Sequence, residues 1–316
     1  MEWYPQPLPD ENITRQLQHQ IGVPHEIATL LAQRGIEDFD AAKYFFRPEL
    51  SHLHDPFLML GMRAVVDRIF AAIERGEKIM IYGDYDVDGT TAVALVYSYL
   101  NKIHPLCSYY IPDRYQEGYG ISIQGIDHAQ AEGISLIIAL DCGIKAVDKA
   151  QYAKGLGIDL IICDHHLPGE ILPEAVAILD PKQSNCSYPF NDLCGCGIGF
   201  NLIQALSQEK GEGIESLLPY MDLVAIAIAA DIVPMVGENR TLTHFGILQI
   251  QEHPRVGIQF FVSALQRKIN VSDLVFVIAP RINSAGRMKH GSYAVSLLLS
   301  ENKEEALLQG RTIELF

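Results

Sequence analysis

The chain has 316 residues, of which 48% are hydrophobic and 20% are charged, and its formal net charge at pH 7 is −15. Such a composition is typical of a globular protein with one large domain or two smaller ones. The acidic excess argues against a general affinity for nucleic acid, because phosphate contacts depend on Lys and Arg, but it allows a local basic groove. No apolar stretch has the length of a membrane span and no signal peptide is evident, so we expect a cytoplasmic protein without a membrane partner.

The six cysteines are scattered through apolar segments and form no Cys-x-x-Cys pair. Cys194 and Cys196 are the closest two, but a zinc site would need two further ligands at matched spacing, and none is evident. We interpret the cysteines as reduced core residues.

The first part of the chain predicts a small helical N-terminal extension over residues 1–50. Its amphipathic pieces are residues 13–21, 24–35 and 41–46. Residues 62–75 predict a longer helix, because their apolar positions recur with the 3.6-residue period, and Gly76 ends it.

From residue 79 onward, short apolar runs alternate with helical segments. The apolar runs are residues 79–81, 108–112, 136–140, 160–163 and 175–179, and the helical segments between them are 121–132 and 146–154. Continuous apolar strands joined by helices predict a doubly wound α/β fold with a mainly parallel sheet. After residue 190 the pattern is helical, with segments at 197–208, 217–230, 242–251 and 258–265. We therefore predict an α/β domain over 51–235 and a helical part over 236–316.

The stretch from Tyr82 to Thr91 predicts a strand end, a tight turn and a helix start, and it carries carboxylates at Asp84, Asp86 and Asp88. Three carboxylates so close together repel one another unless a cation lies among them. An EF-hand would need a Glu where Leu95 stands and a helix before the loop, so that interpretation fails. A solvated acidic turn is the remaining alternative to a metal site.

Two further predicted strands end in polar residues of the same kind. Asp141 follows the strand at 136–140, and Asp164, His165 and His166 follow the strand at 160–163. In open α/β sheets the ligand crevice lies outside the carboxyl ends of the strands, so these segments should converge. Carboxylate and imidazole groups are good ligands for Mn²⁺, Mg²⁺ or zinc-like ions.

Taken in order, these motifs resemble those of the DHH phosphoesterase family. The set consists of Asp84-Tyr-Asp86-Val-Asp88-Gly89, Asp141-Cys-Gly143, Asp164-His165-His166 and Ala230-Asp231-Ile-Val-Pro234. Three more segments are similar to those of the RecJ-type, single-strand-specific 5′→3′ exonucleases within that family. They are Arg114-Tyr-Gln-Glu-Gly118-Tyr119-Gly120, His165-His-Leu-Pro-Gly169 and Ala279-Pro280-Arg281-Ile-Asn283-Ser-Ala-Gly286-Arg287-Met288.

The resemblance implies a hydrolase that releases 5′-mononucleotides from single-stranded DNA in DNA repair and recombination, using two Mn²⁺ or Mg²⁺ ions. The implied metal ligands are Asp84, Asp86, Asp88, Asp141, His165 and Asp231. The implied catalytic residues are His166 and Asp164, and the implied substrate-binding residues are Arg114, Arg281, Asn283 and Arg287. Single-stranded DNA is the expected partner, with a helicase and a single-strand-binding protein as further candidates.

The chain departs from the family pattern in three places. Cys142 stands where relatives often carry Asn, and Tyr82 stands where smaller members place a histidine ligand, so Asp84 takes that place. No Gly-rich, Arg-containing loop of a second, DHHA1-type domain is present, so we expect residues 236–316 to lead to a missing domain of a longer protein.

Two other functions remain open. A DHH phosphodiesterase acting on short oligonucleotides or cyclic dinucleotides would share the metal motifs but would lack the segment from Pro280 to Met288. An inactive DNA-binding replication scaffold of the same ancestry would be expected to have lost metal-site Asp residues, and all are present. Each of Arg114, Arg281 and Arg287 also has the plain interpretation of a surface or helix-end charge.

Overall fold

The computed structural model describes residues 4–314 except 264, 266 and 289. It forms two compact units, of which the first ends at Leu53 and the second begins at His54. The three-part division at residues 50 and 235 stays a prediction.

The first unit is a small helical cluster. Its helices are α1 (Glu11–Ile21), α2 (His25–Ala32) and α3 (Phe39–Phe46). Asp10 and Asp38 cap α1 and α3 by accepting hydrogen bonds from backbone amides of their first turns. Leu17, Ala28 and Leu31 are buried against one another and form the centre of the cluster. The predicted helical extension is confirmed.

The core of the second unit is a five-stranded sheet in which every neighbouring pair is parallel. The strands are β1 (Lys78–Gly83), β2 (Cys107–Tyr110), β3 (Ile134–Leu140), β4 (Asp159–Cys163) and β5 (Ala177–Leu179). The helices around them are α4 (Met62–Arg75), α5 (Val87–Ile103), α6 (Ile123–Ala131), α7 (Val147–Gly155), α8 (Gly195–Glu209) and α9 (Met221–Asp231). The predicted parallel α/β fold is confirmed.

Alternation along the strands explains why both faces of the sheet are covered. Met80 and Tyr82 of β1 belong to the core cluster that includes Ile126 of α6 and Ala150 of α7. The alternate residues of the strands, such as Ile81, are equally buried on the opposite face, where α5 and α8 contact the sheet. A sheet buried on both faces requires continuous apolar strands, as the sequence has.

The strand order is β2-β1-β3-β4-β5. After β1 the chain adds β2 on one side of the sheet and then β3, β4 and β5 on the other, so the switch point lies between β1 and β3. In doubly wound folds the ligand crevice opens at that switch point, beyond the carboxyl ends of the two strands. Asp84 follows β1 and Asp141 follows β3. The order of the strands therefore places the candidate carboxylates at this crevice.

The rest of the second unit is helical. It contains α10 (Gly237–Glu252), α11 (Val256–Val262), α12 (Val271–Asp273), α13 (Ala279–Met288), α14 (Ser292–Leu299) and α15 (Lys303–Glu314), with a π-helical segment over Leu274–Ile278. The predicted helix at 217–230 is in fact a 3₁₀ helix over Ile214–Tyr220 followed by α9, because Pro219 lacks the amide that a continuous α-helix needs.

Helix α13 packs closely against the loop between β1 and α5. A Cβ atom added to Gly286 would lie 2.2 Å from the carbonyl oxygen of Tyr85, so only glycine allows this approach. The motif from Ala279 to Met288 therefore forms a helix that packs on the loop between β1 and α5, which we call the acidic loop. The sequence pattern did not predict this packing. Within the described residues, no helix is both long and apolar enough to cross a membrane.

Candidate metal centre

The loop after β1 delivers three carboxylates in three different environments. Asp84 is fully buried, and among the described residues neither of its carboxylate oxygens has a hydrogen-bond partner. Asp86 caps α5 by accepting from the amide of Gly89 at 3.0 Å. Asp88 is buried and accepts from two amides that begin α8, Gly195 at 2.6 Å and Cys196 at 2.8 Å. Burial raises the pKa of Asp88, and the two amides at the N-terminus of α8 act against that shift while they hold the side chain in place.

Backbone strain marks two other acidic positions. Among the described residues, Asp141 and Ile232 are the non-glycine residues with positive φ, both at 59°. Asp141 is itself a candidate ligand, and Ile232 directly follows Asp231 at the end of α9. Conformations of this kind cost about 1–3 kcal/mol and are concentrated at functional sites. The backbone is therefore bent at the points where these two carboxylates are presented.

Asp164 differs from the other carboxylates because its own chain satisfies it. One oxygen accepts from the amides of His165 and His166 and lies 2.7 Å from Nδ1 of His166, and the other accepts from the amide of Ile144 at 2.9 Å. Burial acts to raise the pKa of Asp164, but these hydrogen bonds outweigh it and lower the pKa below its ordinary value. Asp164 is thus placed to orient the imidazole of His166.

His165 lies at the centre of the carboxylates. Its Nε2 atom is 3.2 Å from Oδ1 of Asp141, 3.7 Å from Oδ2 of Asp231 and 3.8 Å from Oδ2 of Asp88. Burial lowers the pKa of His165 to about 4, and the charges of His166 and Lys182 act in the same direction. The imidazole is therefore neutral at pH 7, which is the form that binds a metal ion.

His166 is more exposed and links two other groups. Its Nδ1 atom is bound to Asp164, and its Nε2 atom lies 3.3 Å from the hydroxyl of Tyr119, which also donates to the carbonyl of Asp141. The hydrogen bond to Asp164 raises the pKa of His166 above its ordinary value. Such an imidazole can carry a proton near neutral pH.

Asp84, Asp88, Asp141 and Asp231 have raised pKa values, with burial as the largest cause. The pKa is raised to about 7 for Asp84 and Asp88, to about 6 for Asp231, and well above the ordinary value for Asp141. Repulsion between these groups adds to burial, with Asp86 acting on Asp84 and Asp231 acting on Asp88. Bound cations would offset this repulsion and return the groups to their charged forms.

Two overlapping groups of side chains present ligand atoms within 4.8 Å of one another. One consists of Asp141, His165 and His166, and the other of Asp88, His165 and Asp231. Because they share His165, the two groups adjoin, and their oxygen and imidazole donors fit Mn²⁺ or Mg²⁺. We call Asp84, Asp86, Asp88, Asp141, Asp231 and His165 together the acidic cluster. Asp84 and Asp86 belong to it through their charges and lie outside both groups of three.

The four predicted substrate-binding residues, Arg114, Arg281, Asn283 and Arg287, form what we call the basic rim. Arg114 is exposed, with its guanidinium 5.2 Å from the ring centroid of Tyr85. Arg281 donates to the carbonyl of Val277 at 2.6 Å. Two parts of the rim thus contact the acidic loop at Tyr85. Arg114 does so through its guanidinium, and α13, which carries the other three residues, does so through Gly286.

Asn283 and Arg287 lie on α13 with the rest of that motif. Asn283 is half-buried and Arg287 is exposed, and the carbonyl of Arg287 accepts from the hydroxyl of Tyr115 at 2.8 Å. In the described part of the chain, no ion pair joins Arg114 or Arg287 to the acidic cluster.

The two residues at which the sequence departs from the family pattern lie in the core. The hydroxyl of Tyr82 donates to the carbonyl of Gly120 and accepts from the amide of Ser122, and its ring stacks on Tyr110. Cys142 is buried in the same apolar cluster. All six cysteines are free, and Cys142, Cys163, Cys194 and Cys196 are buried, whereas Cys107 and Cys186 are only partly buried and so are not core residues. Cys194 has a structural role as well, because its sulfur caps α8.

Three residues near the centre were missed by the sequence reasoning. Tyr119 was noticed only as part of a glycine-containing loop. Asp180 follows β5, is fully buried and has one carboxylate oxygen without a partner in the described chain, and burial raises its pKa to about 6. Lys182 donates from Nζ to the carbonyl of His165. The signal that identified Asp141, an apolar run followed by Asp, was present for Asp180 as well.

Residues 78–228 match the DHH family, N-terminal domain. This chain belongs to the DHH family. The matched segment contains β1 to β5 and all of the candidate metal ligands except Asp231, which lies three residues beyond its end.

Among curated proteins, the chain is similar to the single-stranded-DNA-specific exonuclease RecJ of Bacillus subtilis, with 41% identity over 309 residues. That match covers 97% of this chain and 38% of the relative. RecJ of Escherichia coli is 34% identical over 313 residues, which is 92% of this chain and 53% of that protein. This DHH-family chain thus spans about half or less of the length of these relatives.

Solved structures give the same result for the fold. The crystal structure of exonuclease RecJ bound to manganese has a TM-score of 0.77 at 29% identity and covers 84% of this chain and 67% of that one. RecJ from Thermus thermophilus in complex with Mn²⁺ has a TM-score of 0.83 at 26% identity, covering 98% of this chain and 44% of that one.

Proposed function

We propose that this chain is the catalytic portion of a metal-dependent 5′→3′ exonuclease that acts on single-stranded DNA and releases 5′-mononucleotides. The observation that carries the proposal is the pair of adjoining ligand groups around His165 at the switch point of the sheet. The similarity to RecJ proteins crystallised with Mn²⁺ and Mg²⁺ supports it. A role in DNA repair and recombination follows from the same similarity.

The acidic cluster would hold two divalent ions, with Asp84, Asp86, Asp88, Asp141, His165 and Asp231 as the ligand set. When bound, such ions supply an activated water and stabilise the charge of the departing 3′ oxygen. Asp88 is held rigidly by α8, and His165 is kept neutral by burial, so both are prepared as ligands before an ion arrives. Preorganisation of this kind reduces the cost of binding.

His166 is the proposed proton donor to the leaving group, and Asp164 is its positioning residue. The contact between Asp164 and Nδ1 of His166 leaves Nε2 as the atom that faces Tyr119 and the cluster. A raised pKa keeps a larger fraction of His166 protonated near neutral pH, as a general acid requires. His166 also belongs to one of the two ligand groups, so its imidazole lies beside the proposed position of an ion.

The basic rim is the proposed site for the 5′-terminal phosphate, with Arg114 as its main contact. Arg114 is exposed beside Tyr85, and Tyr85 stands between Asp84 and Asp86 in sequence. A guanidinium binds phosphate bidentately, and a strongly acidic protein needs such a group to hold DNA near the metals. Arg281, Asn283 and Arg287 would add contacts from α13. We further propose that the protein acts in the cytoplasm and that a helicase and a single-strand-binding protein are its partners.

The test is a single-turnover assay with the 316-residue chain in excess over a 5′-labelled single-stranded oligonucleotide. We expect Mn²⁺-dependent release of 5′-mononucleotides that chelation or His165→Ala abolishes. The release should be slow, because the 316-residue chain spans only 38% and 53% of the length of the two RecJ relatives. A cyclic dinucleotide and a linear dinucleotide are tested in parallel. Faster hydrolysis of either one, or no hydrolysis of DNA by the parent protein at enzyme excess, would contradict the proposal.

A further inference from the structure

A cavity of about 520 Å³ adjoins the candidate metal centre on the side of His166 and Asp164. Its walls are two loops, one at 117–124 that leads into α6 and one at 143–149 that leads into α7. The volume falls within the range of small-molecule sites, about 300–1,000 Å³. The cavity is lined by none of the basic rim residues, so it is separate from the phosphate site proposed above.

One wall of the cavity is cationic. Lys145 and Lys149 both line it, four residues apart at the start of α7, and neither forms an ion pair within the described residues. Lys154 lies at the other end of the same helix, away from the cavity, and it is paired with Glu174. In a chain with a net charge of −15, two unpaired ammonium groups on one wall indicate an anionic ligand.

The acidic groups of the lining, Glu117 and Asp164, are held by other partners, and within the described residues neither forms an ion pair with Lys145 or Lys149. Glu117 accepts from the hydroxyls of Tyr110 and Ser122 and from the amide of Asp113. Asp164 is satisfied by Ile144 and His166. These hydrogen bonds hold both carboxylates in place, so the ammonium groups of Lys145 and Lys149 stay available to a ligand.

The opposite wall offers groups suited to a nucleobase. Tyr119 is 55% exposed and lines the cavity beside the metal centre, where its ring lies edge-to-face with those of Tyr85 and His166. Ile123 is partly exposed next to it, and the amide of Gln124 lies at the same edge. An aromatic face for stacking, an amide for hydrogen bonding and two lysines for phosphate are the groups that nucleotide sites combine.

We propose that this cavity binds one nucleotide, with its phosphate on Lys145 and Lys149 and its base against Tyr119. The inference rests on the proposed nuclease function and names a subsite for it. The bound nucleotide is either the released 5′-mononucleotide or a nucleotide that is still part of the DNA strand. Both have the same chemical groups. Because the cavity touches His166, its occupant adjoins the reaction centre.

The test measures binding of dAMP and of deoxyadenosine to the 316-residue chain by calorimetry in the presence of Mn²⁺. The double variant Lys145→Ala/Lys149→Ala should bind dAMP at least about tenfold more weakly, the scale of one lost charged hydrogen bond. It should bind deoxyadenosine, which has no phosphate, as the parent does. Lys154→Ala is the matched control, and it should change the dAMP affinity less than about twofold because its ammonium is paired elsewhere.

A cleavage-resistant phosphorothioate tetranucleotide separates the two sources of the nucleotide. Loss of affinity for dAMP alone identifies a product site, and equal loss for the tetranucleotide identifies a site for the strand. Undetectable dAMP binding by the parent, unchanged affinity in the double variant, or an equal loss in Lys154→Ala would overturn the inference.

Mn²⁺ affinity and DNA cleavage are measured on the same proteins. Unchanged dAMP affinity in a double variant that still binds Mn²⁺ and cuts DNA rejects the cavity site alone. Lysine-dependent dAMP binding by a parent protein that does not cut DNA rejects the nuclease proposal and leaves the nucleotide site standing.

Discussion

The acidic cluster and the basic rim are built in opposite ways. Asp84, Asp88, Asp141 and His165 are buried and lie at the ends of strands or at helix starts, so the backbone fixes their positions. Arg114 and Arg287 are exposed, and Arg281 is engaged with its own chain at Val277. The difference shows which half of the site is assembled before its ligand arrives.

This arrangement has a physical reason. Buried carboxylates are costly without a counter-charge, so a protein that keeps them must hold them rigidly for an ion that will offset the cost. Guanidinium groups that bind a flexible DNA end need no such burial, because water solvates them until the phosphate arrives. The cluster should therefore respond strongly to substitution, and the rim more weakly.

The largest expected effect comes from removing a ligand of the acidic cluster. Asp141→Ala or His165→Ala should weaken Mn²⁺ binding about 100-fold or more, which is about 3 kcal/mol, as judged by isothermal titration. Without its metal, the Asp141→Ala protein should be at least as stable as the parent, since one repelling carboxylate is gone. Undiminished Mn²⁺ affinity in both variants would show that the cluster is not the metal site.

A second effect of similar size concerns the contact between the rim and the cluster. Gly286→Ala would place a Cβ atom 2.2 Å from the carbonyl oxygen of Tyr85, so α13 must shift, and we expect a loss of about 3 kcal/mol in urea unfolding. Gly155→Ala in α7 is the control, because its Cβ would meet nothing within 4 Å. That control should be neutral or up to about 1 kcal/mol more stable. Equal stabilities of the two variants would contradict the close packing of α13 on Tyr85.

Arg114→Ala should have an intermediate effect that is confined to one kind of DNA end. If Arg114 binds the terminal phosphate, affinity for a 5′-phosphorylated oligonucleotide should fall by about 1.5–3 kcal/mol, and affinity for the 5′-hydroxyl form should change little. Arg63→Ala removes the same charge at a guanidinium that is already paired with Glu209, and it serves as the control. Equal losses on both oligonucleotides, with a smaller salt dependence, would assign Arg114 to the DNA backbone instead.

The smallest of the four effects is a pH dependence of the metal-free protein. Asp84 has a folded pKa of about 7, well above its unfolded value, so the folded state binds more protons between pH 4 and pH 7. Stability from this group is therefore lost as pH rises, by roughly 2 kcal/mol between pH 5.5 and pH 7. The lowered folded pKa of His165 makes its contribution to stability increase with pH instead. The contribution of Asp84 is therefore isolated by comparing the parent with Asp84→Asn.

In that comparison, the stability of Asp84→Asn relative to the parent should increase by the same roughly 2 kcal/mol across the interval. Urea unfolding at the two pH values, with chelator present, measures it. Addition of Mn²⁺ at pH 7 should stabilise the parent more than the variant. A stability difference that does not change with pH would show that Asp84 is charged without a cation.

The acidic cluster could largely be predicted from the sequence, because its signals are local. Each ligand of the cluster other than Asp231 lies within a few residues of an apolar run that is long enough to be a strand, and parallel strands bring their carboxyl ends together. Asp180 carries the same local signal, because it directly follows the apolar run at 175–179, but it belongs to none of the motifs from which the site was predicted.

Other features depend on contacts between distant residues and leave no local signal. Asp88 is held by amides more than a hundred residues away, at Gly195 and Cys196. The contact of Tyr119 with His166 spans 47 residues, and the seat of Gly286 on Tyr85 depends on the packing of α13. The roles of Asp164 as an orienting group and of Arg281 as a partner of Val277 likewise emerged only from geometry.

The central claim is that the strand-end carboxylates and His165 hold divalent ions at the switch point of the sheet. The most direct measurement is anomalous scattering at the manganese edge from a crystal of this chain grown or soaked with Mn²⁺. The account predicts two peaks, one beside Asp141 and His165 and one beside Asp88 and Asp231, each about 2.0–2.4 Å from its ligand atoms. Absence of anomalous density at the cluster, with manganese bound elsewhere on the protein, would contradict it.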